Sequence, residues 1–296
     1  MAPSADAAAM RRAVAISAAG LWRTSPNPPV GCVLLGPDGH LISEGYHERK
    51  GEAHAETQAL KAAGPLAEGA TAVVTLEPCN HQGRTPPCRQ ALVDAKVSRV
   101  VIALLDPTSR GEGGAAALRL AGVDVEVGLL ADEARVVLGP WLSAQQTRRP
   151  VVTWPYVISD RGIGAVPEGM PGARRLQLGA DAILHADGRV TEVIPGSHGN
   201  GILHLHDASP GAGAAAVTAF LYKGGVRSVL LAGGLDLAAP YLAAGLVDRV
   251  CAYLPDGRAS RKALTALPWP QVPPGFEITA ASRLDGYVLL EAGRHR

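Results

Sequence analysis

The chain has 296 residues, about twice what one ordinary core needs, which predicts two globular domains. Apolar residues make up 47% and charged residues 19%, a balance that excludes intrinsic disorder. A formal net charge of +1 with 4% aromatic residues gives neither the basic footprint nor the stacking rings of a nucleic-acid binder, so a small-molecule partner is expected.

Met10, Val14, Ile16 and Ala18 have helical spacing and predict a first helix. Arg11 and Arg12 before the apolar run Ala13 to Leu21 mimic the order of a secretory signal. No cleavage site or 18-residue apolar span follows, so a plain helix, no membrane contact and a cytoplasmic location are expected. Val30 to Leu35 reads as a buried strand, turned by Pro37-Asp38-Gly39 into a second strand, Leu41 to Tyr46. A helix from about His54 to Ala63 stops at Gly64-Pro65. Thr71 to Leu76 is a strand, Pro78 to Cys88 a Pro- and Gly-rich loop, and Pro87 to Ala95 a helix. The strand Arg99 to Leu104, the helix Ala115 to Ala121 and the strand Val123 to Val127 follow. Strands alternating with helices predict an α/β sandwich on a parallel or mixed sheet.

Ala131 to Gln146 reads as a connecting helix, and Thr147-Arg148-Arg149-Pro150 is a polar break. The expected domains are residues 1–147 and 148–296. In the second, Val151 to Val157, Asp181 to Leu184, Ser228 to Leu231 and Arg249 to Leu254 read as strands, with helices at Ala214 to Lys223 and Leu237 to Ala244. Asp187 to Pro210 is polar and Gly-rich, without a period that predicts regular structure.

Four cysteines, Cys32, Cys79, Cys88 and Cys251, are too few for a disulfide scaffold in so long a chain. Cys79 and Cys88 share one loop beside Pro78, and His54 offers an imidazole, which together form a zinc donor set. A catalytic zinc takes three protein ligands and water. Glu56, two residues after His54 in the first turn of a helix, is placed to act as base on that water and then to hand the proton to a departing amine. Cys88 near a helix start gains from the dipole that favours a thiolate. His-x-Glu with Pro-Cys and a second Cys is a known signature of zinc deaminases. His81, two residues after Cys79, leaves a second option open: a closed four-ligand structural site, in which Glu56 has no water to act on.

Thr75-Leu76-Glu77-Pro78-Cys79-Asn80-His81-Gln82-Gly83-Arg84-Thr85-Pro86-Pro87-Cys88 resembles the signature loop of the bacterial riboflavin-biosynthesis deaminase–reductase family. So do Asn27-Pro28-Pro29-Val30-Gly31, Gly45-Tyr46-His47 and Gly51-Glu52-Ala53-His54-Ala55-Glu56. The resemblance covers residues 10 to 145 and implies a cytidine-deaminase-like sandwich followed by a dihydrofolate-reductase-like domain. It implies hydrolytic deamination at C2 of 2,5-diamino-6-ribosylamino-4(3H)-pyrimidinone 5′-phosphate, in riboflavin synthesis or a paralogous secondary-metabolite pathway. Asn27, His47, His81, Arg84, Asp106 and Thr108 then become the substrate residues, with Arg84 on the phosphate. The family's Asp-Pro-Asn and longer loop is here Asp106-Pro107-Thr108-Ser109-Arg110-Gly111, in which Thr108 lacks the amide's paired donor and acceptor.

For the second domain, Val151 to Ser159 resembles the family's opening strand, and Leu230 to Asp248 its nucleotide-side turn and helix. The domain reads as shortened and degenerate. The family's strand Lys falls at Pro155, its Gly-x-Gly-Thr-Val segment reads His185 to Val190, and the Glu of Glu-Gly-Gly is Ala232. Gly233-Gly234 before a helix can cradle phosphate, but a bare pair does not identify a dinucleotide site. Zinc is therefore the expected cofactor and NADPH is not. The alternatives are a full bifunctional deaminase–reductase and a zinc-stabilised assembly scaffold, the latter leaving Glu56 without a role. A homodimer or higher homo-oligomer is expected.

Overall fold

The computed structural model describes residues 4–80, 86–109, 113–159, 161–167, 169–177, 179–209, 211–256 and 272–294. It divides into two compact units, Met1–Gln146 and Thr147–Arg296.

In the first unit α1 (Ala5–Ser17) starts at Ser4, whose hydroxyl accepts from the Ala7 amide at 3.2 Å, an N-cap. Strands β1 (Gly31–Leu35) and β2 (Leu41–Tyr46) form an antiparallel hairpin. There follow α2 (Ala55–Ala63), β3 (Thr71–Leu76), α3 (Cys88–Asp94), β4 (Arg99–Leu104), α4 (Gly113–Leu120), β5 (Asp124–Val127) and α5 (Ala131–Thr147). The sheet runs β2-β1-β3-β4-β5, with β3, β4 and β5 parallel and β1 antiparallel to both its neighbours.

The period of two explains the layers. Leu34, Val74, Val100 and Ile102 meet α2, α3 and α4 through Ala55, Ala59, Leu92 and Leu118. Their alternates Val33, Val73 and Val101 meet α1 and α5 through Met10, Ala13, Leu138 and Trp141. Both faces are therefore buried, each such aliphatic side chain stabilising by roughly 1.5–3 kcal/mol. Because β3 and β4 are parallel, the loops leaving them emerge from one edge of the sheet, where a site in such a fold is expected.

The second unit is built on β6 (Val151–Ser159), β7 (Gly162–Ala165), β8 (Ala182–His185), β9 (Val190–Glu192), β10 (Ser228–Ala232), β11 (Arg249–Pro255), β12 (Phe276–Leu284) and β13 (Tyr287–Arg294). The strand order is β12-β13-β11-β6-β10-β8-β9, with β7 paired to β6. Helices α7 (Ala214–Lys223) and α8 (Leu235–Ala243) cover the face of Val152, Trp154, Tyr156 and Ile158. The short α6 (Ala173–Gln177) brings Leu176 against Ile183 and Leu230 on the other face. Arg149 grips Asp248 with two bonds of 2.6 and 2.7 Å, and the same carboxylate accepts the Val152 amide. At 19% and 10% side-chain exposure this pair is nearly dry, so removing one partner strands the other, at a cost of about 3–5 kcal/mol.

Within Asp187 to Pro210 the structure adds β9 and a strap held by backbone bonds: Ala208 N to Gly188 O at 2.8 Å and His204 N to Gly224 O at 2.8 Å. His198 anchors it, fully buried with Nδ1 at 3.1 Å from Glu192 Oε1. The segment's order thus comes from tertiary bonds and not from a hydrophobic period, which is why its residue pattern carries no signal. Among the described residues no helix is long and apolar enough to cross a membrane.

Candidate metal centre and substrate pocket

The approach of β2 to α2 sets the position of the first ligand. A Cβ at Gly45 would lie 2.5 Å from the Ala55 carbonyl and 2.6 Å from the Ala59 amide, so only glycine allows this packing. Ser43 and Gln58 reinforce it, the hydroxyl donating to Ala59 O and the amide to Tyr46 O, each at 2.8 Å. His54 then takes the N-cap position of α2 with extended backbone, and Glu56 lies in the helix's first turn.

His54, Cys79 and Cys88 converge, their ligand atoms all within 4.8 Å of one another. His54 Nδ1 lies 3.2 Å from Cys88 Sγ and 3.7 Å from Cys79 Sγ. A tetrahedral zinc with ordinary Zn–N and Zn–S bonds holds such atoms about 3.6 Å apart, so the donors fit that ion in type and spacing. Cys88 opens α3, and its backbone N–H donates to Cys79 Sγ at 3.2 Å. The helix start therefore favours the thiolate of Cys79, where sequence reasoning placed its effect on Cys88. The hydrogen bond from the Cys88 thiol, opposed by burial and aided by His54, holds Cys79 well below the ordinary thiol range. The same bond and burial push Cys88 up.

Glu56 is only 3% exposed, and burial pushes its carboxyl up, partly offset by His54. A carboxyl poised above its ordinary range beside a metal-type donor set has the acid–base character that proton shuttling needs.

Asn27 and His47 also meet here. The His47 ring stands edge-on to His54 with centroids 5.2 Å apart. Its Nδ1 donates to the Ala53 carbonyl at 3.2 Å, which makes Nε2 an acceptor for the Asn27 amide nitrogen at 3.3 Å. One backbone carbonyl thus fixes the tautomer of His47 and, through it, which way the Asn27 amide faces. Burial lowers His47 to about 4. A group lowered from 6.5 leaves stability intact above that value and loses it as pH falls towards 4, by about 3 kcal/mol in all. Urea midpoints at pH 7 and pH 4.5 check this: the acid-side loss in the wild type is expected to shrink in His47→Gln, and an equal loss in both would count against it.

Asp106 and Thr108 lie in the loop after β4, where Asp106 Oδ1 accepts both the amide and the hydroxyl of Thr108 at 2.7 Å. Thr108 is therefore turned onto its own loop. His81 and Arg84 lie outside the described residues. Gly233 and Gly234 join β10 to α8 as expected, but the Gly233 carbonyl already accepts the Trp154 indole N–H at 3.1 Å.

Sequence reasoning gave no role to Glu77 and Asn80, the two residues that flank Pro78-Cys79 and tie it to the neighbouring loop. Glu77 is 6% exposed and accepts from the amides of Asp106 and Ala115. Asn80 donates to Gly113 O at 3.3 Å and accepts from Arg89. The signal available was a charged Glu77 directly after the strand pattern Thr71 to Leu76 and before Pro78.

Comparison with known proteins agrees with this geometry. Residues 3–104 match the family described as the cytidine and deoxycytidylate deaminase zinc-binding region. The chain is 46% identical over 180 residues to the riboflavin biosynthesis protein RibD of Mycobacterium tuberculosis, a match covering 56% of this chain and 52% of the relative. It thus spans about half the length of that protein and of Escherichia coli RibD, to which it is 43% identical over 192 residues. It is 45% identical to the diaminohydroxyphosphoribosylamino-pyrimidine deaminase of Buchnera aphidicola, over 43% of this chain and 86% of that protein. Among solved structures, Acinetobacter baumannii RibD superposes with a TM-score of 0.78 at 27% identity, over 99% of both chains. A Thermotoga maritima deaminase/reductase shares the fold, with a TM-score of 0.78 at 24% identity over 98% of this chain and 99% of that one.

Proposed function

The chain belongs to the RibD family of riboflavin-biosynthesis deaminases, and from that premise we propose that its first unit is a zinc-dependent hydrolytic deaminase of an aminopyrimidine ribonucleotide. The observation that carries the reading is the His54–Cys79–Cys88 triangle with the buried Glu56 two residues beyond its imidazole. A zinc ion held by these three residues supplies a Lewis acid that makes water nucleophilic near neutral pH. Glu56 holds the proton released from water and delivers it to the departing exocyclic nitrogen. The carbon–nitrogen bond breaks, a carbon–oxygen bond replaces it, and ammonia leaves. Asn27, its amide oriented by His47, offers a fixed hydrogen-bonding edge to the ring. On the family's pattern Arg84 is assigned to the phosphate, and Asp106 and Thr108 to substrate binding, with Thr108 acting through its bonds to Asp106. The favoured substrate is 2,5-diamino-6-ribosylamino-4(3H)-pyrimidinone 5′-phosphate. Ammonia release over free and phosphorylated diaminopyrimidines tests this; release from none of them by zinc-loaded protein would overturn it.

For the second unit we propose a degenerate reductase that does not use NADPH. Pro155 brings no amine to β6, and Ala232 no carboxylate to the end of β10. The turn after β8 is covered by the strap, Ala208 bonding Gly188 O and Asp207 accepting the Val190 amide at 3.1 Å. That backbone is spent where a dinucleotide would approach it. Incubation with deaminated ribotide and NADPH is expected to leave the reduced-nicotinamide absorbance flat. Its steady loss with formation of ribityl product would establish the bifunctional alternative.

A further inference from the structure

We propose that Glu77 is a positioning residue for substrate binding, holding the Asp106–Ser109 loop against the metal site; this rests on the deaminase reading above. The residue sits one peptide past β3, its amide donating to Leu104 O at 2.8 Å, so that it extends the β3–β4 pairing to the point where both strands release their loops. Two residues later comes Cys79. Its side chain reaches across to the loop that follows β4. Glu77 Oε2 accepts the Asp106 amide at 3.0 Å and the Ser109 hydroxyl at 3.1 Å, and Oε1 accepts the Ala115 amide at 2.9 Å.

These three donors lie on both arms of the loop, two where it leaves β4 and one where it enters α4. A single carboxylate therefore closes the loop at its base. The fit admits little slack: a Cβ at Gly114 would lie 1.9 Å from the Pro78 carbonyl, so α4 begins in contact with the peptide that precedes Cys79. Asn80 adds a second tie, from the other side of Cys79 to Gly113 O. Residues on either side of Cys79 are thereby tied to the Asp106–Ser109 segment and to the start of α4, and through Glu77 the spacing between Cys79 and that segment is held.

Only a group with two acceptor oxygens satisfies all three donors. Gln offers one oxygen and presents its NH2 to a backbone N–H, leaving a buried donor unpaired and pushing one arm away. Its size is unchanged, and residue 77 is not one of the side chains that build the core around Val74, Ile102 and Leu118. Loosening a substrate wall lowers binding without touching the acid–base group, so the effect belongs in KM.

Glu77→Gln and, as a milder variant that keeps both backbone bonds, Ser109→Ala are compared with wild type in zinc-loaded full-length protein. Glu77→Gln is expected to keep one zinc per chain, raise KM for the aminopyrimidine ribotide at least tenfold and change kcat less than threefold, with Ser109→Ala in between. In the absence of substrate, amide exchange of residues 106, 108, 109 and 115 is expected to rise at least tenfold in Glu77→Gln while residues 71–76 stay protected. Unchanged KM with unchanged exchange overturns the proposal, as does a loss of zinc and kcat in proportion. If wild-type protein deaminates no aminopyrimidine, the functional reading has failed. Loop exchange then still decides: faster exchange supports the clamp, and unaltered exchange ends it.

Discussion

Glu56→Gln is expected to retain one zinc per chain while kcat for ammonia release falls by about 10² to 10⁴ or more, the span typical of a lost general acid–base. The loss should lie at the upper end, since in the proposed mechanism the same carboxyl serves two steps, taking a proton from water and returning it to the leaving amine. The amide matches its shape and can do neither. The substitution has a second, opposite consequence. Burial raises the Glu56 pKa, so above its ordinary range the folded state holds a proton that the unfolded chain has released. Ionising the group in place therefore costs stability as pH rises, and Gln is exempt from that cost. In metal-free protein the first unit's melting temperature is expected to be higher for Glu56→Gln than for wild type at pH 8, with the gap closing towards pH 4. A variant that is active, or equally stable at both pH values, would remove Glu56 from this role.

The elements legible in the sequence are those whose environment is uniform along the segment. Ala72 to Val74 and Val100 to Leu104 are continuous apolar runs because both faces of β3 and β4 are covered. Strand β12 was not legible, because most of Phe276–Leu284 is exposed on both faces and has no alternation to read. The five residues of α6 include no buried side chain, so no helical period marks them. At the site, the convergence of His54, Cys79 and Cys88 was legible because a zinc donor set constrains residue type, and the first turn of α2 places Glu56 two residues on. Glu77 lay in plain view beside Cys79, yet its partners are backbone amides 29 and 38 positions away. A backbone amide has no residue type, so nothing in the sequence marks such a contact. The Ala53 carbonyl that fixes the His47 tautomer is silent for the same reason.

Removing the metal is expected to separate the two units thermally. His54, Cys79 and Cys88 come from the start of α2, the loop after β3 and the start of α3, so an ion among them cross-links three segments of the first unit. The two apolar layers on its sheet persist without the ion, so the unit should stay folded but weaker. At a free zinc concentration about a thousandfold above the dissociation constant, linkage contributes about 4 kcal/mol, or about 8–16 °C in melting temperature for a unit of this size. Chelation is expected to shift one calorimetric transition down by that order and leave the second, from Thr147–Arg296, unmoved. His54→Ala should do the same without chelator and abolish ammonia release, while Cys251→Ser, buried in the second unit, should leave zinc content unchanged. X-ray absorption at the zinc edge then separates the open site from the closed one: two sulfurs, one imidazole and one lone light scatterer support the deaminase geometry. A second imidazole from His81 would complete the coordination with protein, deny Glu56 its water, and turn the site into a structural one.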